Sequence, residues 1–127
     1  MQLNIPEGLK SVAKIYLTLP SPPILNHLYG ISRNGVRYKK PAHTQYVTDV
    51  QKLCRVQYQG KPLTTSMYVE LRWYRPRRSG DIDSCLKTML DAMQGFIYEN
   101  DSKIDKLLIT RDYDKERPRM EVMVVSL

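Results

Sequence analysis

The stretch "RRSGDIDSCLKTMLDA", residues 77–92, sets Arg77 and Arg78 almost against Asp81 and Asp83. Carboxylates one residue apart, at the start of an expected helix in a basic chain, admit two readings. They neutralise the neighbouring arginines, as exposed ion pairs do at little energetic gain. Or they hold a hard cation whose phosphate ligand the arginines also contact. Asp83, Lys87 and Asp91 recur every fourth residue and so share one helix face, where a plain i,i+4 ion pair is equally at home. Residues two apart on a helix point to nearly opposite sides. Asp81 therefore converges with Asp83 only from outside the helix, which Gly80 before it permits.

A second acidic stretch, "YENDSKID", follows the expected helix and carries Glu99, Asp101 and Asp105. A short turn can return one of these toward Asp81 and Asp83. Clustered carboxylates repel one another unless protons or cations compensate, and oxygen donors of this kind suit Mg²⁺ or Mn²⁺. A calcium loop fails on spacing: counted from Asp81, the places for the EF-hand glycine and glutamate hold Leu86 and Ala92. His27 and His43 lack zincin spacing and read as surface or loop residues. The chain has no Walker-type glycine loop. Trp73 alternates with apolar neighbours and is expected inside. Cys54 and Cys85 fall on the apolar sides of expected helices and read as buried, reduced thiols.

These residues need a scaffold. With 127 residues and 42% hydrophobic content the chain can bury a core. A net charge of +7 and a pI near 9.5 favour an anionic partner. Alternation in "SVAKIYLTL" and "TSMYVELRWY" predicts strands, and Asn34-Gly35 predicts a hairpin whose arms carry Arg33, Arg37, Lys39 and Lys40. Helical spacing follows Pro41, through Tyr46, Val47, Val50, Leu53 and Cys54, and recurs at Ile82, Leu86, Met89, Leu90 and Met93. Two strands close the chain, around Leu107–Arg111 and Met120–Val125. The expectation is α+β, one domain over residues 1–127, with two helices on a mixed sheet. No apolar run is long enough to span a membrane and the N-terminus does not resemble a signal peptide, so the expected location is the cytoplasm.

The segment "RRSGDIDSCLKTMLDAMQGFIYENDSKI" resembles the RusA-type Holliday junction resolvases of bacteria and their prophages. It shares basic residues before D-x-D, a lysine one helical turn later, a leucine-rich helix with L-D-A, and an acidic turn. "LPSPPILNHLY" is similar to the family's proline-rich stretch with Asn and Tyr. The resemblance implies a RusA-like fold, Asp81, Asp83 and Asp101 as metal-binding catalytic carboxylates, and Lys87 as a functional lysine. It also implies Mg²⁺ or Mn²⁺, a homodimer, and paired nicking of four-way DNA junctions in recombination and repair. Arg75, Arg77 and Arg78 would join the hairpin cations in gripping phosphates. The chain departs from the family at Ser84, where asparagine is usual, and at Asn100, which parts Glu99 from Asp101 and leaves Glu99 as the alternative third ligand. Two rivals remain: a non-catalytic DNA-binding module, and a less specific structure-selective nuclease.

Overall fold

The computed structural model describes residues 13–23, 29–78, 80–84 and 86–127. Asn26, His27 and Cys85 lie outside the described residues. The elements run β1 (Lys14–Pro20), β2 (Tyr29–Ile31), β3 (Arg37–Lys39), α1 (Pro41–Gln57), β4 (Met67–Arg75), α2 (Leu86–Met93), β5 (Ile104–Tyr113) and β6 (Arg119–Ser126). A short 3-10 turn, Asp101–Lys103, leads into β5. The main sheet has the order β1-β6-β4-β5, and β2 with β3 forms a separate two-stranded sheet. β1 and β4 flank β6 antiparallel, whereas β4 and β5 are parallel. This is the expected mixed α+β arrangement.

The parallel pair dictates the rest. Parallel neighbours need a crossover, and α2 lies within the connection from β4 to β5. The loop from Pro76 to Ser84 therefore leaves the carboxyl end of β4 and enters the amino end of α2. Pro41 starts α1 because proline at the first helical turn sacrifices no needed hydrogen bond. At the tip of the β2–β3 hairpin, Gly35 takes φ +78°, the positive value that Asn-Gly turns exploit.

Alternation places Ile15, Leu17 and Leu19 of β1, Met67, Val69, Leu71 and Trp73 of β4, and Met120, Val122 and Val124 of β6 on one face. That face packs on Tyr46, Val50 and Cys54 of α1, on Met89, Ala92 and Met93 of α2, and on Ile97 and Tyr98 beyond it. Met67, Met89, Met93, Met120 and Met123 are all buried, so thioethers fill much of the interior. The Tyr46 hydroxyl donates to the Pro20 carbonyl at 2.7 Å, and Trp73 Nε1 to Ser21 Oγ at 2.9 Å, so both buried aromatic residues have polar partners.

Two expectations are corrected. α2 begins at Leu86 rather than near Ile82, because residues 82–84 form turns closed by backbone bonds to the Asp81 and Asp83 carbonyls. His43 is no surface or loop residue. It faces the core from the first turns of α1, and burial, then the charge of Lys39, holds its pKa below the usual imidazole value against an opposing influence from Asp91. Cys54 is buried as expected, and burial pushes its thiol up to about 11.

On the opposite face of β4, Glu70 is only 4% exposed, and its Oε2 finds no hydrogen-bond partner among the described residues. Burial raises its pKa, with Arg72 partly opposing the shift. A carboxyl with a raised native pKa carries no penalty at pH values where both states are protonated. It costs stability as pH rises through the unfolded value toward the native one. Glu70→Gln should therefore gain stability over the parent between about pH 5 and pH 8, with the difference closing below about pH 4. Urea denaturation across that range checks it, and a pH-independent difference would refute the assignment.

Candidate active site

The carboxylate loop is anchored at Gly80. Its carbonyl accepts from Arg75 Nη1 at 3.2 Å and from Arg111 Nη1 at 2.6 Å. Arg75 is 3% exposed at the end of β4, with its guanidinium 4.4 Å from the Trp73 ring centroid. Arg111 comes from β5, where the parallel register sets it opposite Trp73. Gly80 itself sits at φ +90°, and a Cβ there would lie 2.7 Å from Arg75 Nη2. The positive φ requires glycine, and a Cβ there would also push on the tip of the Arg75 side chain. The residue before the first aspartate is thus pinned to both parallel strands.

Asp81, Ile82 and Asp83 follow, all exposed. The Ser84 N–H donates to the Asp81 carbonyl at 3.3 Å, and the Leu86 N–H to the Asp83 carbonyl at 3.1 Å. These turns put both aspartates ahead of α2, so Asp83 is not a member of the helical face that carries Lys87 and Asp91. Among the described residues neither carboxylate is tied into an ion pair. Lys87 reaches Asp91 Oδ2 at 3.2 Å with its side chain 83% exposed, so the pair is a weak one that a stronger partner can open.

A cleft of about 530 Å³ joins this turn to the hairpin. Asp83, Ser84, Lys87 and Thr88 line one side, and Arg37, Tyr38 and Lys39 of β3 the other. The sequence places these groups more than forty residues apart; the fold makes them two walls of one groove. Arg33, Arg77 and Arg78 are exposed as expected, with Arg78 packed 5.0 Å from the Tyr113 ring centroid. Lys40 occupies the N-cap position of α1, without a capping bond from its side chain. Arg75, expected on the DNA surface, is buried instead, because its guanidinium is needed at Gly80. Arg111 escaped the sequence reading, since only the strand register brings it to this loop.

Asp101 lies elsewhere. Its N–H donates to Gln94 Oε1 at 3.0 Å, just past the carboxyl end of α2, whereas Asp83 precedes the amino end. The intervening eight helical residues rise about 12 Å. The expected return of the acidic turn to the aspartate pair does not produce a three-ligand cluster among the described residues. No three acidic, histidine or cysteine side chains among the described residues stand close enough to hold a metal ion. Magnesium needs fewer protein ligands than this: one or two carboxylates, completed by water and substrate phosphates, is its usual protein site. Asp81 and Asp83, exposed hard-oxygen donors on one turn beside cationic residues, fit that smaller donor set.

Parallel strands, a carboxylate turn at the end of one of them and a basic groove alongside agree with a comparison against known families. The model of the family "Endodeoxyribonuclease RusA" matches residues 20–125, and the chain belongs to that family. It is also similar to the uncharacterized protein YqaN of Bacillus subtilis (strain 168), with 26% identity over 119 residues, spanning 75% of this chain and 83% of that one.

Gly80→Ala should destabilise the fold by about 1–3 kcal/mol and displace Arg75. Because displacements of about 1 Å at a reacting group cost up to about 100-fold in rate, DNA cleavage should fall more steeply than stability. Denaturation and nicking assays on the same preparation check this; full stability with full activity would remove the anchoring role.

Proposed function

We propose that this chain is a structure-selective endodeoxyribonuclease that resolves four-way DNA junctions by paired, Mg²⁺- or Mn²⁺-dependent phosphodiester hydrolysis. It acts as a homodimeric single-domain protein of the cytoplasm. The observation that carries this reading is the groove that sets Asp83 and Lys87 opposite Arg37 and Lys39. The family supplies the reaction class. Two matched nicks require two matched sites, which a twofold dimer provides.

Each wall has a task. Arg37 and Lys39 hold the phosphates flanking the scissile bond, and Arg77 and Arg78 extend that grip. Asp81 and Asp83 would hold the ion, which when bound supplies an acidified water and polarises the phosphate oxygens. Asp83 keeps a negative oxygen beside the reacting phosphate, where it also accepts hydrogen bonds from water. Lys87 leaves its weak pair with Asp91 when a phosphate enters, and its ammonium then stabilises the charge that develops on the phosphate oxygens. Asp101, past the far end of α2, takes no step in this scheme.

A labelled four-way junction with titrated Mg²⁺ tests the proposal. Symmetric nicks that require the metal support it; binding without nicking indicates a DNA-binding module, and equal cutting of flaps and linear duplex a less selective nuclease. Asp83→Asn should abolish nicking while junction binding holds or tightens as negative charge is lost, and Lys87→Ala should lose nicking with the fold intact. An Asp83→Asn protein that still nicks at the parent rate would sink the assignment. Affinity should also fall with salt at a log–log slope near −0.9 for each phosphate contacted, and Arg37→Ala or Lys39→Ala should each reduce the slope by about 1.

A further inference from the structure

The apolar tip of the β2–β3 hairpin has no task in the scheme above. Ile31 is 75% exposed and Val36 61% exposed, directly beside Arg33, Arg37 and Lys39. Scattered exposed apolar residues are ordinary, but these two are arranged. Ile31 pairs across the hairpin with Arg37, so Val36, the residue just before β3, projects from the opposite face. The tip is thus apolar on both broad faces and cationic along its arms.

The tip is also stiff. The Gly35 N–H donates to the Ser32 carbonyl at 2.9 Å, the Ser32 N–H to the Val36 carbonyl at 2.8 Å, and the Val36 N–H to Ser32 Oγ at 3.1 Å. Below it, the Tyr38 ring fills the space that a side chain at position 30 would need, so Gly30 and Tyr38 lock the stem. A rigid element with apolar faces loses little freedom on insertion.

We propose that this hairpin is a wedge that enters the branch point of DNA whose scissile strand lies in the adjoining groove, with Ile31 and Val36 against base faces exposed there. The inference rests on the junction-cleaving reading and names what selects the substrate. Apolar wedges separate base steps in many DNA complexes at the cost of unstacking, and where helices meet at a branch that unstacking costs less than in continuous duplex. The cations on the arms meet the phosphates converging on the same place, which favours DNA over a protein partner for this surface. Geometry also sets where nicks fall. Arg37 lines the groove, and the wedge residues adjoin it, Val36 next in sequence and Ile31 paired with it across the hairpin. At about 3.4 Å per nucleotide along a strand, nicks therefore lie within a few nucleotides of the branch.

The test uses a four-way junction with 2-aminopurine at the branch, and a linear duplex with 2-aminopurine in the same sequence. Binding of the unmodified protein should raise fluorescence several-fold on the junction and leave the duplex signal unchanged. Ile31→Ser/Val36→Ser should lose that rise and about tenfold or more of its preference for junction over duplex, while binding duplex normally. Ile31→Thr/Val36→Thr keeps the β-branched shape and guards against loss of the hairpin itself. A fluorescence rise that survives in both variants overturns the wedge, as does a variant that turns monomeric by sedimentation, which would make the tip a subunit contact. A protein that nicks junctions but never raises the signal loses only the wedge. One that raises the signal without nicking loses only the nuclease reading, and one that does not bind junctions at all loses both.

Discussion

Everything chemical in this molecule hangs from one peptide carbonyl. Gly80 is held by Arg75 from β4 and by Arg111 from β5, so the loop that bears the aspartates is fixed to the two parallel strands at once. Two charge-assisted hydrogen bonds to a single oxygen are strong by the standards of surface contacts. Arg75 sits inside with Trp73 against it, so its position is set by packing. The parallel pairing that demands a crossover helix also brings the two arginines to the same point. Sheet topology and site geometry are in this sense one constraint.

The groove is a consequence of a second constraint, the placing of the hairpin. The chain passes from β3 through Lys40 directly into α1, whose buried residues share the core with those of α2. Cations on β3 are thereby carried alongside the turn that precedes α2. Neither wall is long or deeply buried, and the acids on one side are open to solvent. Such an exposed site is suited to a large polyanion that brings its own charge and excludes water on arrival.

The sequence was most legible where one periodicity dominated. Alternation located β1 and β4 and the burial of Trp73; helical spacing located α1; Asn34-Gly35 located the hairpin turn. The aspartate pair and its lysine stood out as a motif, and the family that motif suggested is the one whose model matches residues 20–125. What failed was non-local. The role of Arg75 depends on a carbonyl five residues away that only a bent loop presents to it, and Arg111 depends on a strand register that no local pattern encodes. The start of α2 was placed too early because Ile82 fits the helical spacing, whereas the backbone there closes turns onto the Asp81 and Asp83 carbonyls instead. Asp101 was expected near those two residues from a short turn after the helix and from the family resemblance; its backbone is tied to Gln94, past the far end of α2, and no three-ligand cluster forms among the described residues.

The interior carries a chemical vulnerability of its own. Five methionines are sealed in it: Met67 and Met120 of the sheet meet Met89 and Met93 of α2 in the main core, Met123 is buried apart from them, and the Met89 sulfur lies 2.9 Å from the Tyr46 hydroxyl oxygen. Unbranched thioethers let such a core absorb small shifts of packing with little strain. Oxidation turns each into a polar sulfoxide that an apolar interior cannot solvate. The same residues that make the core forgiving of movement leave it intolerant of peroxide once local opening admits it, so the lifetime of the folded chain is coupled to the redox state of its surroundings.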